Sequence, residues 1–120
     1  MPRTAHATKP VPSHSRLVRT PVSAPRALRA AIDRAKNQCI LPATFRGHDY
    51  FTDLVAKLYA RYQERLLELG AADFGDLLLW PVVLCEREPE LRLALASRFQ
   101  HVLVDEFQDV NTVQYRLLLH

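Results

Sequence analysis

The apolar positions of this chain fall mostly at helical spacing. From Arg26 to Asn37, the residues Ala27, Leu28, Ala31, Ile32 and Ala35 form one stripe, which predicts a helix that Pro42 keeps from running on. The longest expected element follows. Asp49 is placed to cap a helix whose Phe51, Leu54, Val55, Leu58, Tyr62, Leu66 and Leu69 recur at i, i+3, i+4, with Gly70 at its C-terminal stop. Asp73 is placed to cap a third helix that turns Phe74, Leu77, Leu78 and Val82 inward, and Trp80-Pro81 is expected to kink or end it. Pro89 suits the first turn of a short helix through Arg98. Asn111 or Thr112 then caps a last helix carrying Val113, Tyr115, Leu117 and Leu118.

One stretch departs from this period. Val102-Leu103-Val104 is a short apolar run that ends abruptly in Asp105-Glu106-Phe107-Gln108-Asp109-Val110-Asn111. Such a run predicts a buried parallel strand, at about residues 101–106, whose carboxyl end opens into a ligand crevice. The chemistry of the acids fits that position. A magnesium ion bridging nucleotide phosphates needs hard oxygen ligands, often only one or two carboxylates with waters completing the shell, and Asp105 can supply one. Glu106 is then free to accept a proton from the attacking water, while Gln108 can sense the terminal phosphate through its amide. An isolated Asp-Glu pair is more simply read as a strand-end turn of solvated acids, and only its context decides between the two.

The context is specific. Asp105 to Asn111, followed by Gln114 and Tyr115, resembles the Walker B segment (motif II) of the superfamily 1 DNA helicases of the UvrD, Rep and PcrA type. Upstream, Ala72-Asp73-Phe74-Gly75-Asp76-Leu77-Leu78-Leu79 is similar to that family's D-F-x-D-L-L segment, and Tyr62-Gln63-Glu64-Arg65-Leu66 to the helix before it. Ala35-Lys36-Asn37 is similar to the family's I-S-x-x-K-N element in the accessory subdomain. The resemblance covers roughly residues 27–120 in the family's order. It implies an α/β fold: a fragment of a RecA-like P-loop NTPase motor domain, mostly helical with the one parallel-sheet strand. It divides the chain into a leader at 1–25, a helical accessory-subdomain segment at 26–70 and a partial ATPase domain at 71–120. It further implies an ATP- and magnesium-dependent translocase that moves 3′ to 5′ on single-stranded DNA and separates duplex DNA. In that frame Asp105 is the magnesium ligand, partly through water, and Glu106 the catalytic base. Gln108 and Asp109 couple the nucleotide to its surroundings.

A phosphate-cradling loop of the form G-x-x-x-x-G-K-[ST] is absent from the sequence, because none of Gly47, Gly70 and Gly75 precedes Lys-Ser or Lys-Thr. The expected object is therefore an internal slice of a helicase, inactive alone and in need of the missing helicase segments. With one strand and no partner for it, the isolated chain is expected to be poorly soluble or only partly folded. Two other readings compete. A RecB- or AddA-like helicase-nuclease has a similar motif II, although the tight D-F-G-D-L-L match favours the UvrD group. A non-enzymatic remnant or interaction module is the other.

Charge separates the chain into two parts. Residues 1–32 carry Arg3, Lys9, Arg16, Arg19, Arg26 and Arg29 with no acid, whereas the rest has ten basic and thirteen acidic residues, so the overall +3 comes from the start. The helicase-like body thus shows no basic cluster of the kind that marks a DNA-binding face. Met1 to about Pro25, with Pro2, Pro10, Pro12, Pro21 and Pro25, reads as an extended, disordered leader unlike the family. Its composition approaches that of a transit peptide, but the prolines interrupt the amphipathic helix such peptides form. An unrelated or mis-assigned start is the preferred reading. No run of about 18 apolar residues could span a membrane.

The remaining residues carry less. Cys39 and Cys85 stand 46 apart without a C-x-x-C partner, which suits reduced thiols in a cytoplasmic protein. His6, His14, His48, His101 and His120 lack metal-ligand spacing. Tyr59, Tyr62 and Trp80 could stack on bases, but their spacing among leucines favours packing in the core.

Overall fold

The computed structural model describes residues 24–120, so most of the expected leader lies outside the described residues. Among the described residues, five α-helices and one short 3-10 turn make up the regular structure: α1 Ala24–Asn37, α2 Tyr50–Glu68, α3 Asp76–Arg87, α4 Pro89–Arg98, the turn Phe107–Asp109, and α5 Thr112–Leu118. Ala24 and Pro25 thus belong to the first turn of α1 rather than to a leader.

Local chemistry sets the helix ends. Asp49 accepts from the Thr52 amide while Thr52 Oγ1 accepts from the Asp49 amide, a reciprocal cap that satisfies donors the first turn would leave unpaired. At the other end of α2, Gly70 takes φ +59°. Its N–H bonds the Leu67 carbonyl at 3.0 Å and that of Ala71 the Leu66 carbonyl at 2.8 Å, which closes a Schellman turn. The same turn ends α1, and there the stop is not Pro42. Cys39 adopts φ 58°, its N–H reaches the Lys36 carbonyl at 3.0 Å, and Ile40 N–H reaches Ala35 at 2.9 Å. Pro81 lies inside α3 and does not end it, for the helix continues to Arg87. Asn111 and Gln114 form a second reciprocal cap at α5.

Two apolar clusters hold these helices together. Ile32 and Ala35 of α1 pack on Val55 and Tyr59 of α2, with Phe45 edge-on to the Tyr59 ring at 6.3 Å. Leu79, Val82 and Val83 of α3 pack on Val113 of α5. The second cluster takes in Cys39, Leu41 and Trp80, so the turn after α1 touches it as well. By contrast, α4 buries none of its residues and, among the described residues, contacts no helix but α3.

The expected strand does not form. Residues 101–104 have no regular structure, 105 and 106 bend, and no strand or sheet occurs among the described residues. Leu103 is 99% exposed and Val102 60%. The α/β expectation is therefore replaced by an all-helical arrangement. Val and Leu favour a strand because they fit a pleated, half-buried surface, and that surface exists only where a neighbour pairs the backbone groups. The described residues present no second extended segment to do so.

Candidate functional site

The acidic segment is a compact, solvent-facing loop. Asp105, Glu106, Gln108 and Asp109 are all exposed. Asp105 Oδ1 accepts the Glu106 N–H at 2.8 Å, and Glu106 takes a left-handed conformation with φ 50°. That conformation costs a residue with a side chain about 1–2 kcal/mol, and it swings the chain directly into the 3-10 turn. Asp109 N–H closes the turn on the Glu106 carbonyl at 2.8 Å. The Gln108 amide donates to Glu106 Oε2, so the residues expected to act together do touch. Phe107 packs edge-on to Tyr115 at 6.3 Å, tying the turn to α5. Past the turn, Asn111 gives its side-chain oxygen to the cap of α5.

A second centre is buried, and the sequence did not announce it. Lys36 is fully buried, and its ammonium bonds Asp73 Oδ2 and Asp76 Oδ1, each at 2.7 Å. Asp76 also receives the Gln63 side-chain amide at 3.1 Å on both oxygens. Tyr62 donates its hydroxyl to Asp73 at 2.9 Å. The two aspartates cap each other's backbone: Asp76 N–H to Asp73 Oδ1 at 2.9 Å, and Asp73 N–H to Asp76 Oδ2 at 3.2 Å. The cap expected of Asp73 falls to Gly75, which has no side chain to offer, and α3 begins at Asp76; Asp73 instead accepts the Asp76 N–H from the turn before the helix. Gly75 is needed for another reason: a Cβ there would meet Lys36 Cδ at 2.8 Å.

The electrostatics follow from these contacts. Burial pushes the Asp73 carboxyl up, but the Lys36 hydrogen bond, the Asp76 amide, the Tyr62 hydroxyl and the Lys36 charge outweigh it and hold the group below its ordinary value. The Tyr62 phenol is pushed up to about 12 by its burial, by the bond it gives Asp73 and by the charge of both aspartates. Tyr59 is raised further, first by burial. Its hydroxyl donates to the Ile40 carbonyl at 3.0 Å, so Tyr59 serves the core. The Cys39 thiol is also pushed up by burial, with Arg116 pulling it back, and both cysteines are free.

Three segments singled out in the sequence therefore meet at one point: Ala35-Lys36-Asn37, Tyr62-Gln63 and the Asp73–Asp76 segment. The separations of 37 and 40 residues between Lys36 and its partners give no local signal of pairing. Among the described residues no group of three or more His, Cys, Asp and Glu side chains could hold a metal, and no helix is long and apolar enough to cross a membrane.

Comparison with known proteins agrees with the motif reading. The profile of the UvrD/REP helicase N-terminal domain matches residues 3–120, so it takes in most of the stretch whose composition suggested a leader unlike the family. The chain is 36% identical over 96 residues to the ATP-dependent DNA helicase PcrA of Bacillus subtilis (strain 168), covering 78% of this chain and 13% of that protein. With PcrA of Staphylococcus aureus (strain Mu50 / ATCC 700699) the identity is 38% over 96 residues, at the same coverage. A probable DNA helicase II homolog of Rickettsia felis is 40% identical over 95 residues, or 77% of this chain and 14% of that protein. The chain thus spans about an eighth of the length of these curated relatives. No solved structure matches it.

Proposed function

Because the chain belongs to the UvrD/REP helicase N-terminal domain family, we propose that it carries the acidic motif of a cytoplasmic ATP-dependent motor that moves 3′ to 5′ on single-stranded DNA and separates duplexes. The observation that carries this reading is the exposed Asp105–Asp109 loop, in which the carboxylates face solvent and Gln108 already touches Glu106. In this reading residues 26–70 belong to the accessory subdomain and 71–120 to the ATPase domain.

The donor set fits magnesium in its chemistry. Carboxylate oxygens are the hard ligands this ion takes, and with no cluster of three among the described residues, waters and nucleotide phosphates would complete the shell. Asp105 would hold the ion through its remaining oxygen, since Oδ1 already accepts the Glu106 amide. When bound, magnesium neutralises charge on the phosphates. Glu106 would accept the proton of the attacking water at Oε1, because Oε2 is engaged by Gln108. Gln108 fixes that carboxylate, and its second amide hydrogen is left for a phosphate oxygen. Asp109 closes the turn and so carries movement of Glu106 toward α5.

The sequence holds no phosphate-cradling glycine loop, so the chain alone should hydrolyse no ATP above background even with magnesium and DNA. The positive test is a chimera in which residues 26–120 replace the matching segment of the B. subtilis PcrA. DNA-stimulated hydrolysis by the folded chimera that falls about 10²–10⁴-fold with Glu106→Gln is the expected result. A folded chimera whose turnover ignores Glu106→Gln would overturn the assignment.

A further inference from the structure

An apolar groove of about 560 Å³ opens between the second half of α3, α4 and the end of α5, lined by Pro81, Cys85, Leu95, Phe99, Leu117 and Leu118. We propose that this groove is half of a two-fold interface between copies of this chain: Leu103 of each copy seats in the groove of the other, and Asp105 of each meets Arg98 of the other. This pairing does not depend on the motor reading above.

The plug stands beside its socket. Val102 lines the groove, while Leu103, the next residue, is 99% exposed. Successive side chains of an extended segment point to opposite sides, so with Val102 turned toward the groove Leu103 is aimed away from it and cannot fill it within its own chain. A protruding side chain and a cavity on one surface are self-complementary. A two-fold axis brings each plug to the other copy's socket, and the contact closes at two copies instead of growing into a filament. The helix beside the groove gains from such a cover. Isolated helices as short as α4 are marginal in water and take their stability from a packed face, yet α4 buries none of its residues and Phe99, just after it, is more than half exposed.

Charge selects a second copy as the occupant. At the groove wall the Arg98 guanidinium lies 5.5 Å from the centre of the Phe99 ring, and no carboxylate among the described residues is within ion-pair distance of it. On the plug, Asp105 follows Leu103 by two residues, about 7 Å along an extended chain. One of its oxygens accepts the Glu106 N–H, and no cation among the described residues pairs with it. Seating Leu103 therefore carries an unpaired carboxylate toward an unpaired guanidinium, and symmetry makes the contact twice per dimer.

Sedimentation equilibrium of the full 120-residue chain, from about 1 to 200 µM, should show a reversible monomer–dimer equilibrium with a midpoint in the micromolar range. Leu103→Ala should weaken the dimer about a hundredfold, about tenfold for each of the two seats, and Leu103→Asp should leave only monomer. Because Leu103 is 99% exposed, neither change should alter the helical circular dichroism or the urea midpoint of the monomer. Arg98→Asp should also weaken the dimer, and Arg98→Asp combined with Asp105→Arg should restore it by forming the same pair with its signs exchanged. In a Cys39→Ser background, Leu103→Cys should form an interchain disulfide with Cys85 under mild oxidation, located by mass mapping. A chain that stays monomeric throughout, a dimer indifferent to Leu103→Asp, or association that grows past two copies without closing would overturn the proposal. A charge exchange that fails to restore the dimer would overturn the pairing of Asp105 with Arg98.

Discussion

Replacing Lys36 by Met keeps most of the side-chain length but removes the cation from two carboxylates that it touches at 2.7 Å. Asp76, with a side chain 1% exposed, would then hold a charge with only the Gln63 amide and one backbone N–H to meet it. Asp73, 19% exposed, can recover some hydration, but it sits hydrogen-bonded to Asp76 and adds like-charge repulsion. Breaking a buried pair from one side costs about 3–5 kcal/mol. A domain of this length has about 5–15 kcal/mol in all, so most of the margin is at stake. With an m-value of about 2 kcal/mol/M, the urea midpoint followed by helical circular dichroism should fall by about 2 M with m unchanged. The paired substitution Lys36→Met with Asp76→Asn removes the stranded charge, and it should regain more than half of the loss, which gives an interaction energy of about 2 kcal/mol or more. Should Lys36→Met not fold, the return of a cooperative transition in the double variant carries the same information. A single variant within about 1 kcal/mol of the parent, or a double variant that simply sums the two losses, would refute the reasoning.

The neighbouring positions give sharper, smaller effects. Gly75→Ala should cost about 1–3 kcal/mol in the same titration, because its Cβ would crowd a Lys36 stem held by two ion pairs. Tyr59→Phe leaves the Ile40 carbonyl without its donor and should cost about 1–3 kcal/mol, with the helical spectrum unchanged before the transition. The Asp73 carboxyl is depressed in the folded state, so its contribution is present above its ordinary value and is lost as pH falls through the lower, folded one. Acid titration of the parent should therefore show a stability loss beginning below about pH 4 that Asp73→Asn reduces.

How far the sequence spoke depends on the range of the interaction concerned. Helix ends were legible where the cap lies within four residues of its partner, as at Asp49 with Thr52 and Asn111 with Gln114. α1 ends at Asn37 as its apolar stripe predicts, but through Cys39 in a left-handed turn, which has no compositional mark, rather than through the conspicuous Pro42. Pro81 does not end α3, which runs on to Arg87 while packing on Val113. At Val102-Leu103-Val104 the apolar content was real, but a strand is a property of two segments and the described residues contain only one candidate. The residues of the acidic loop are contiguous, so the sequence displays them together. The Lys36 centre was named only in pieces, because nothing in a single sequence says that a lysine will choose aspartates nearly forty positions away.

The uneven anchoring of the helices has a dynamic consequence for that loop. On one side stands α5, fastened through buried Val113 and its cap; on the other stands α4, which buries nothing and leans on α3 alone. Opening of α4 forfeits little buried surface, so its amides should exchange with solvent hydrogen well before those of α3 or α5. Asp105 and Glu106 hang between a fixed post and a loose one. Their position along the chain is a built-in compliance, stiff toward α5 and yielding toward α4.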